Sequence, residues 1–173
     1  KHHSMLIHVK HTTETMKPIV RKVDDLLNNW SLIIADEYDE VNGPKLRERF
    51  KQVWGKVFAD QLDNEQFETP PWEDVLSEAA DFLTNHPPLV VEINYKSEDV
   101  LNYEAHEENG LRVIVIGGTR LSRGLTLEGL TVSYFVRHAG AHDTLLQMGR
   151  WFGFRRGYQD LMRIYMTAPI YED

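Results

Sequence analysis

The sequence predicts an α/β fold, a three-layer arrangement in which a parallel sheet of about five strands lies between helices. Three observations predict it. Five short apolar runs recur along the chain, and several, such as VIVI and LVVEI, are apolar at consecutive positions instead of alternating. A strand that is apolar on both faces belongs in a sheet buried on both sides, which is the habit of parallel sheets. Helical periodicity fills the gap between the first two runs and the gap between the last two, giving the order β–(helices)–β–β–β–α–β.

The strands are expected at Met5–Lys10, Leu89–Tyr95, Arg112–Gly117, Leu130–Arg137 and Leu161–Thr167. Thr13–Asn29 carries Met16, Ile19, Val20, Val23, Leu26 and Leu27 at helical spacing. Leu46–Leu62 repeats the pattern through Phe50, Val53, Trp54, Val57 and Phe58. Pro70–Pro71 opens a further helix, Trp72–Leu83, because proline suits a first helical turn; Asn85–Pro88 closes it. Ser97–Leu101 reads as a short turn or helix and Ala105–Gly110 as a polar loop. Asp143 is placed to cap a helix over Thr144–Phe152, with Gly153 or Gly157 ending it. The whole chain, 1–173, reads as one domain with a helical insertion at about 42–88 after the first strand. Its opening KHHSML, almost directly in a strand, suggests a fragment of a larger protein.

Composition narrows the function classes. A hydrophobic content of 42% excludes global disorder, and the absence of cysteine excludes disulfides and cysteine-based zinc sites. No apolar run reaches membrane-spanning length, so no membrane partner is expected and the expected compartment is the cytoplasm. The net charge of −8 argues against a surface coated in nucleic-acid contacts, but it hides an asymmetry. Residues 1–110 hold 11 Lys/Arg against 22 Asp/Glu, whereas residues 111–163 hold 8 Arg, no Lys and 3 Asp/Glu. Exclusive use of arginine favours sites that need a planar, permanently charged fork for phosphate or carboxylate.

That second region concentrates the chemistry. The third strand ends in Gly117, Gly118 and Thr119, followed by Ser122, Arg123 and Gly124. Ligands of parallel sheets bind at the carboxyl ends of strands, where glycine lets the backbone approach an anion and hydroxyls donate to phosphate. The later helix presents Gln147, Gly149 and Arg150, with Arg155 and Arg156 beyond. An arginine on such a helix can reach a phosphate held by a neighbouring lobe, and a finger of that kind contributes on the order of 10³–10⁵ in rate.

These residues resemble motifs five and six of superfamily-two helicases, which sit on the second RecA-like lobe. Thr119, Arg123 and Gly124 match motif five with one residue fewer between Thr and Arg, and Thr126 replaces the following acid. Gln147, Gly149 and Arg150 match motif six with Gln and Gly one residue closer; the second arginine is displaced to Arg155 or Arg156. The strings SRGLTLEGLTVSYFVR and DTLLQMGRWFGFRRGYQDL, with the opening SMLIHV, closely resemble the Z1 domain family, whose members carry the label endonuclease.

The resemblance implies a RecA-like second lobe of a larger DNA-processing protein of restriction or phage defence. It implies ATP and Mg2+ bound mainly by an N-terminal RecA-like lobe that supplies the phosphate-binding loop and the water-activating acid. Arg150 would then face the γ-phosphate, assisted by Arg155 or Arg156, with Gln147 coupling nucleotide to cleft. Arg123, Gly124 and Gly149 would shape the interlobe face. Thr119, Arg120 and Ser122 would meet the DNA backbone. The isolated chain is expected to lack ATPase activity, and its oligomeric state is not legible.

Other signals carry less. SLIIADEYDE (31–40) looks like the magnesium-holding strand of a P-loop NTPase, with Asp36 and Glu37 as the acids. No GxxxxGK[ST] accompanies it, and Leu32, Ile33, Tyr38 and Val41 continue the preceding helical stripe, so an acidic helix end is expected. His2, His3, His8 and His11 read as strand and loop residues with His2 and His3 at a frayed end, and no metal site is expected. Glu92 and Lys96 share a strand face but stand too far apart for a nuclease Glu-x-Lys. His138, His142 and Asp143 read as loop and cap residues, and Tyr158, Gln159 and Asp160 as the turn into the last strand. Two alternatives stay open beside the helicase-like lobe: a metal-dependent endonuclease domain acting by itself, and a non-enzymatic module that binds DNA or a protein partner.

Overall fold

The computed structural model describes residues 1–9, 13–36, 38–59, 69–93, 101–118, 127–136 and 161–167. The elements run β1 (His3–His8), α1 (Thr13–Ala35), α2 (Asn42–Val57), α3 (Trp72–Asn85), β2 (Leu89–Ile93), β3 (Arg112–Gly117), β4 (Leu130–Phe135) and β5 (Arg163–Met166). A 3-10 turn, Glu104–His106, occupies part of the stretch expected as a loop. All five strands are parallel and lie in the order β2-β3-β1-β4-β5. The expected α/β class with a five-stranded parallel sheet is what the chain forms, and it accords with a RecA-like lobe.

Two compact units divide the chain: residues 1–23 with 88–173, and residues 24–87. In the sheet unit, register sorts side chains onto two faces. Leu6 lies opposite Val115, Val91 opposite Val115, and Leu6 opposite Ser133, so these share a face. Leu6, Ile93, Val113, Val115 and Leu130 build the core there, joined by Leu101, Tyr103 and Leu127 from the connections. On the other face, Ile7, Val9, Val90 and Ile116 pack against Met16, Ile19, Val20 and Val23 of the first half of α1. Strands apolar on both sides thus find cover on both sides.

The helical unit has a core of its own. Ile34, Leu46 and Leu83 are buried among Leu27, Trp30, Ile33, Phe50, Ala80 and Phe82, with the Trp30 and Phe50 rings edge to face at 5.4 Å. Helix α1 runs past the expected Asn29 to Ala35, so Ser31–Ala35 is helix and the strand reading of SLIIADEYDE fails. The stripe extends only in part: Ile33 and Ile34 enter the core, while Leu32, Tyr38 and Val41 are 72%, 91% and 60% exposed. The chain turns because carboxylates take over from the helix. Asp36 accepts the Tyr38 N–H at 3.0 Å, and Asp39 accepts those of Val41 at 3.0 Å and Asn42 at 2.6 Å, nucleating α2 four residues before the expected Leu46. The hydrogen bonds from Asn42 hold the Asp39 carboxyl below the ordinary aspartate value.

Candidate functional site: the switch point at the end of the central strand

A ligand crevice forms in a parallel sheet where neighbouring strands send their connections to opposite faces. Strand β1 is central and leaves toward β2 through α1, whose first half packs on one face. Strand β3, its neighbour, leaves toward β4, and Leu127 at the end of that connection is buried on the opposite face. The boundary between β1 and β3 is therefore a switch point, and it opens at their carboxyl ends.

The described residues at that end are few and tightly held. Gly117 and Gly118 close β3 and are both buried. The Val9 N–H donates to the Gly117 carbonyl at 2.9 Å, and the Val136 N–H donates to the His8 carbonyl at 3.1 Å, so β1 ties both neighbours. His8 is fully buried, opposite Gly117 on one side and Phe135 on the other, its ring 5.5 Å from the Phe135 ring. The sequence alone marks His8 only as a strand residue. The signal was an ionisable side chain at the end of an apolar run, one position from the next apolar residue, at the strand that topology makes central.

The ten residues singled out for nucleotide and DNA lie outside the described residues: Thr119, Arg120, Ser122, Arg123, Gly124, Gln147, Gly149, Arg150, Arg155 and Arg156. So do His11, Glu37, Lys96, His138, His142, Asp143, Tyr158, Gln159 and Asp160. What the structure fixes are their anchors in the chain. Residues 119–126 leave from Gly118 at the switch point and end at buried Leu127; residues 137–160 leave from Val136, beside His8, and end at Leu161.

The amino end of the sheet is closed by polar pinning. Ser4 is buried; its hydroxyl donates to the Glu128 carbonyl at 2.6 Å and lies 3.2 Å from the Tyr103 hydroxyl. His2 does not fray as expected: its Nδ1 accepts the Leu111 N–H at 2.9 Å and its ring meets Tyr103 edge-on at 5.0 Å. His3 opens β1, and partial burial, reinforced by nearby cations including Arg112, lowers its pKa below 6.5. Gly110 and Gly129 adopt φ of +76° and +66°, and a Cβ at either would collide with the backbone of Lys1 or His2.

Among the described residues no three His, Asp or Glu side chains converge as a metal-ligand set, and no helix is long and apolar enough to cross a membrane. The family model of the Z1 domain matches residues 1–173. The chain belongs to the Z1 domain family. Neither a curated protein nor a solved structure matches this Z1 chain.

Proposed function

We propose that this Z1 domain is the second lobe of a helicase-like NTPase that acts on DNA. The supporting observation is the switch point. The segment carrying Thr119, Arg120, Ser122, Arg123 and Gly124 departs from two consecutive buried glycines at a boundary where neighbouring strands send their connections to opposite faces. Glycines there suit close approach of an anion to the backbone, so the described residues fit a nucleotide phosphate, whose Mg2+ and remaining ligands belong to an N-terminal lobe.

When bound, ATP supplies the phosphoryl group whose hydrolysis drives movement. In this chain Arg150, assisted by Arg155 or Arg156, offers permanent positive charge to the γ-phosphate. Gln147 couples the nucleotide to the cleft, and Arg123 and Gly124, with Gly149, shape the interlobe face. Thr119, Arg120 and Ser122 meet the DNA backbone with donors that carry no sequence information.

Charge distribution supports the same assignment. The helical unit carries 5 Lys/Arg against 15 Asp/Glu, a balance of −10, while the sheet unit carries 14 against 12, a balance of +2. DNA then meets the sheet unit, since a surface of −10 repels phosphates.

The test uses the parent protein. Arg150→Ala is expected to lower ATP turnover by roughly 10³-fold or more while a fluorescent ATP analogue still binds. Unchanged turnover would sink the assignment of Arg150 and, with it, the helicase-like reading.

A further inference from the structure

We propose that the β4–β5 half of one sheet face is a binding surface for single-stranded DNA, with Tyr134 and Tyr165 as its base platform. That the strand is DNA rests on the helicase-like reading; the surface itself stands on the described residues. Register puts Ile7, Tyr134 and Tyr165 side by side on β1, β4 and β5, facing the same way. One row nearer the amino ends come Met5, Val132 and Arg163, and beyond Met5 lie His3 and its partner Arg112. This is the face on which the first half of α1 packs, but its cover reaches Ile7, Val9, Val90 and Ile116. Toward β5, Tyr134, Val136 and Tyr165 stay 39%, 46% and 38% exposed.

Parallel sheets are covered on both faces, so an exposed apolar patch on one marks an interaction site. Its chemistry says which. The two tyrosine rings lie 6.3 Å apart, tilted at 37°. Aromatic rings presented from a sheet are platforms for bases, because every base has a π face. Their spacing of 6.3 Å is nearly twice the ~3.4 Å rise of a stacked strand, so consecutive bases take one ring each only after parting from one another. A duplex cannot do that without melting. The surroundings suit phosphates. Strands β1, β4 and β5 contain no Asp or Glu. Arg163 is half-buried beside the tyrosines, and its Nη1 donates to the Met162 carbonyl at 2.9 Å, which steadies the guanidinium at the strand. On residues 13–23 of α1, Lys17, Arg21 and Lys22 are exposed against one acid, Glu14. Glu92 shares this face of the sheet but stands on β2, at the edge opposite β5. A second copy of this chain could cover the same apolar area, but it would set one cationic rim against another, whereas a strand of phosphates complements it.

The experiment titrates a fluorescein-labelled oligodeoxythymidylate with the 173-residue chain and reads anisotropy. Tyr134→Leu and Tyr165→Leu keep bulk but lose the π face, and each is expected to weaken binding roughly tenfold or more. Tyr134→Phe and Tyr165→Phe keep the ring and should bind nearly as wild type. Arg163→Gln should flatten the dependence of log K on log salt by about 0.7. A blunt duplex of the same length should bind more weakly than the single strand. Unchanged affinity in both leucine variants overturns the proposal, as does equal or tighter binding of the duplex. Should a leucine variant melt early, Arg163→Gln decides the matter, and an unaltered salt slope overturns the proposal. A chain that passes from dimer to monomer in Tyr165→Leu with DNA affinity intact also overturns it, since the face then belongs to a second copy. If the tyrosines prove necessary for binding while Arg150→Ala leaves ATP turnover intact in the parent protein, the helicase-like reading fails and the surface stands without it.

Discussion

Gly129→Ala probes how the central strand is seated. Gly129 has φ +66°, and a Cβ built there would lie 2.5 Å from the His2 carbonyl carbon and collide with its oxygen. The left-handed conformation alone costs an alanine about 1–2 kcal/mol. The collision is with backbone, so relief requires residues 2–4 to move away from the turn. That movement sacrifices the Ser4 N–H bond to the Gly129 carbonyl at 2.9 Å and strains the His3 N–H bond to the Leu111 carbonyl at 2.8 Å. At about 1 kcal/mol per bond, the total loss is about 3–4 kcal/mol. A domain of this size loses ~2–4 °C of Tm per kcal/mol, so a drop of about 10 °C is expected by calorimetry or circular dichroism. Gly55→Ala is the internal control. Gly55 sits inside α2 with nothing within 4 Å of a built Cβ, so alanine should stabilise by about 0.5–1 kcal/mol. A Gly129→Ala protein melting within about 2 °C of wild type would refute the described fit of β1 against that turn.

Two further outcomes follow from burial and charge. Leu6→Ala, at a fully buried position in the sheet core, should cost about 3–5 kcal/mol in urea unfolding, whereas Leu32→Ala, 72% exposed, should stay within about 0.5 kcal/mol. Stability should also fall in two steps on the acid side. His3 has a lowered pKa when folded, so the unfolded chain binds more protons just below pH 6.5 and stability declines as pH drops through that window. Asp39 is likewise lowered, so its contribution is present above pH 3.8 and is lost as pH falls below it. Urea midpoints of His3→Gln and Asp39→Asn should each lack the corresponding step; persistence of both steps in these variants would count against the assignments.

Legibility in the sequence followed locality. Arg112–Gly117 stands where the sequence places it, because a β-branched run ending in two glycines specifies both the strand and its stop. Trp72 opens α3 as expected after Pro70–Pro71. Helix α1 overran Asn29 because Trp30, Ile33 and Ile34 meet Leu46 and Leu83, partners that periodicity within one segment cannot reveal. The frayed-end reading of His2 failed for the same reason: its partners, Leu111, Tyr103 and Glu128, are about a hundred residues away. Gly110 and Gly129 take positive φ at turns, as glycine allows, but the approach of residues 1–2 that leaves no room for a Cβ at either is a tertiary fact. Of the candidate site, the strand end at Gly117–Gly118 was legible from glycine, while the place of His8 needed the strand order.

That strand order also sets a timetable. Strand β1 has no partner in the sheet until β3 and β4 exist, for His3 pairs with Arg112 and Ser4 with Leu130. At ~5–20 residues per second, a ribosome needs about 6–25 s to deliver those partners. Throughout that interval Met5, Leu6, Ile7 and Val9 emerge with unfilled edges on either side, while residues 24–87 can already settle by short-range contacts. Within these 173 residues the first strand made is the one that waits, and its apolar side chains stay uncovered longest.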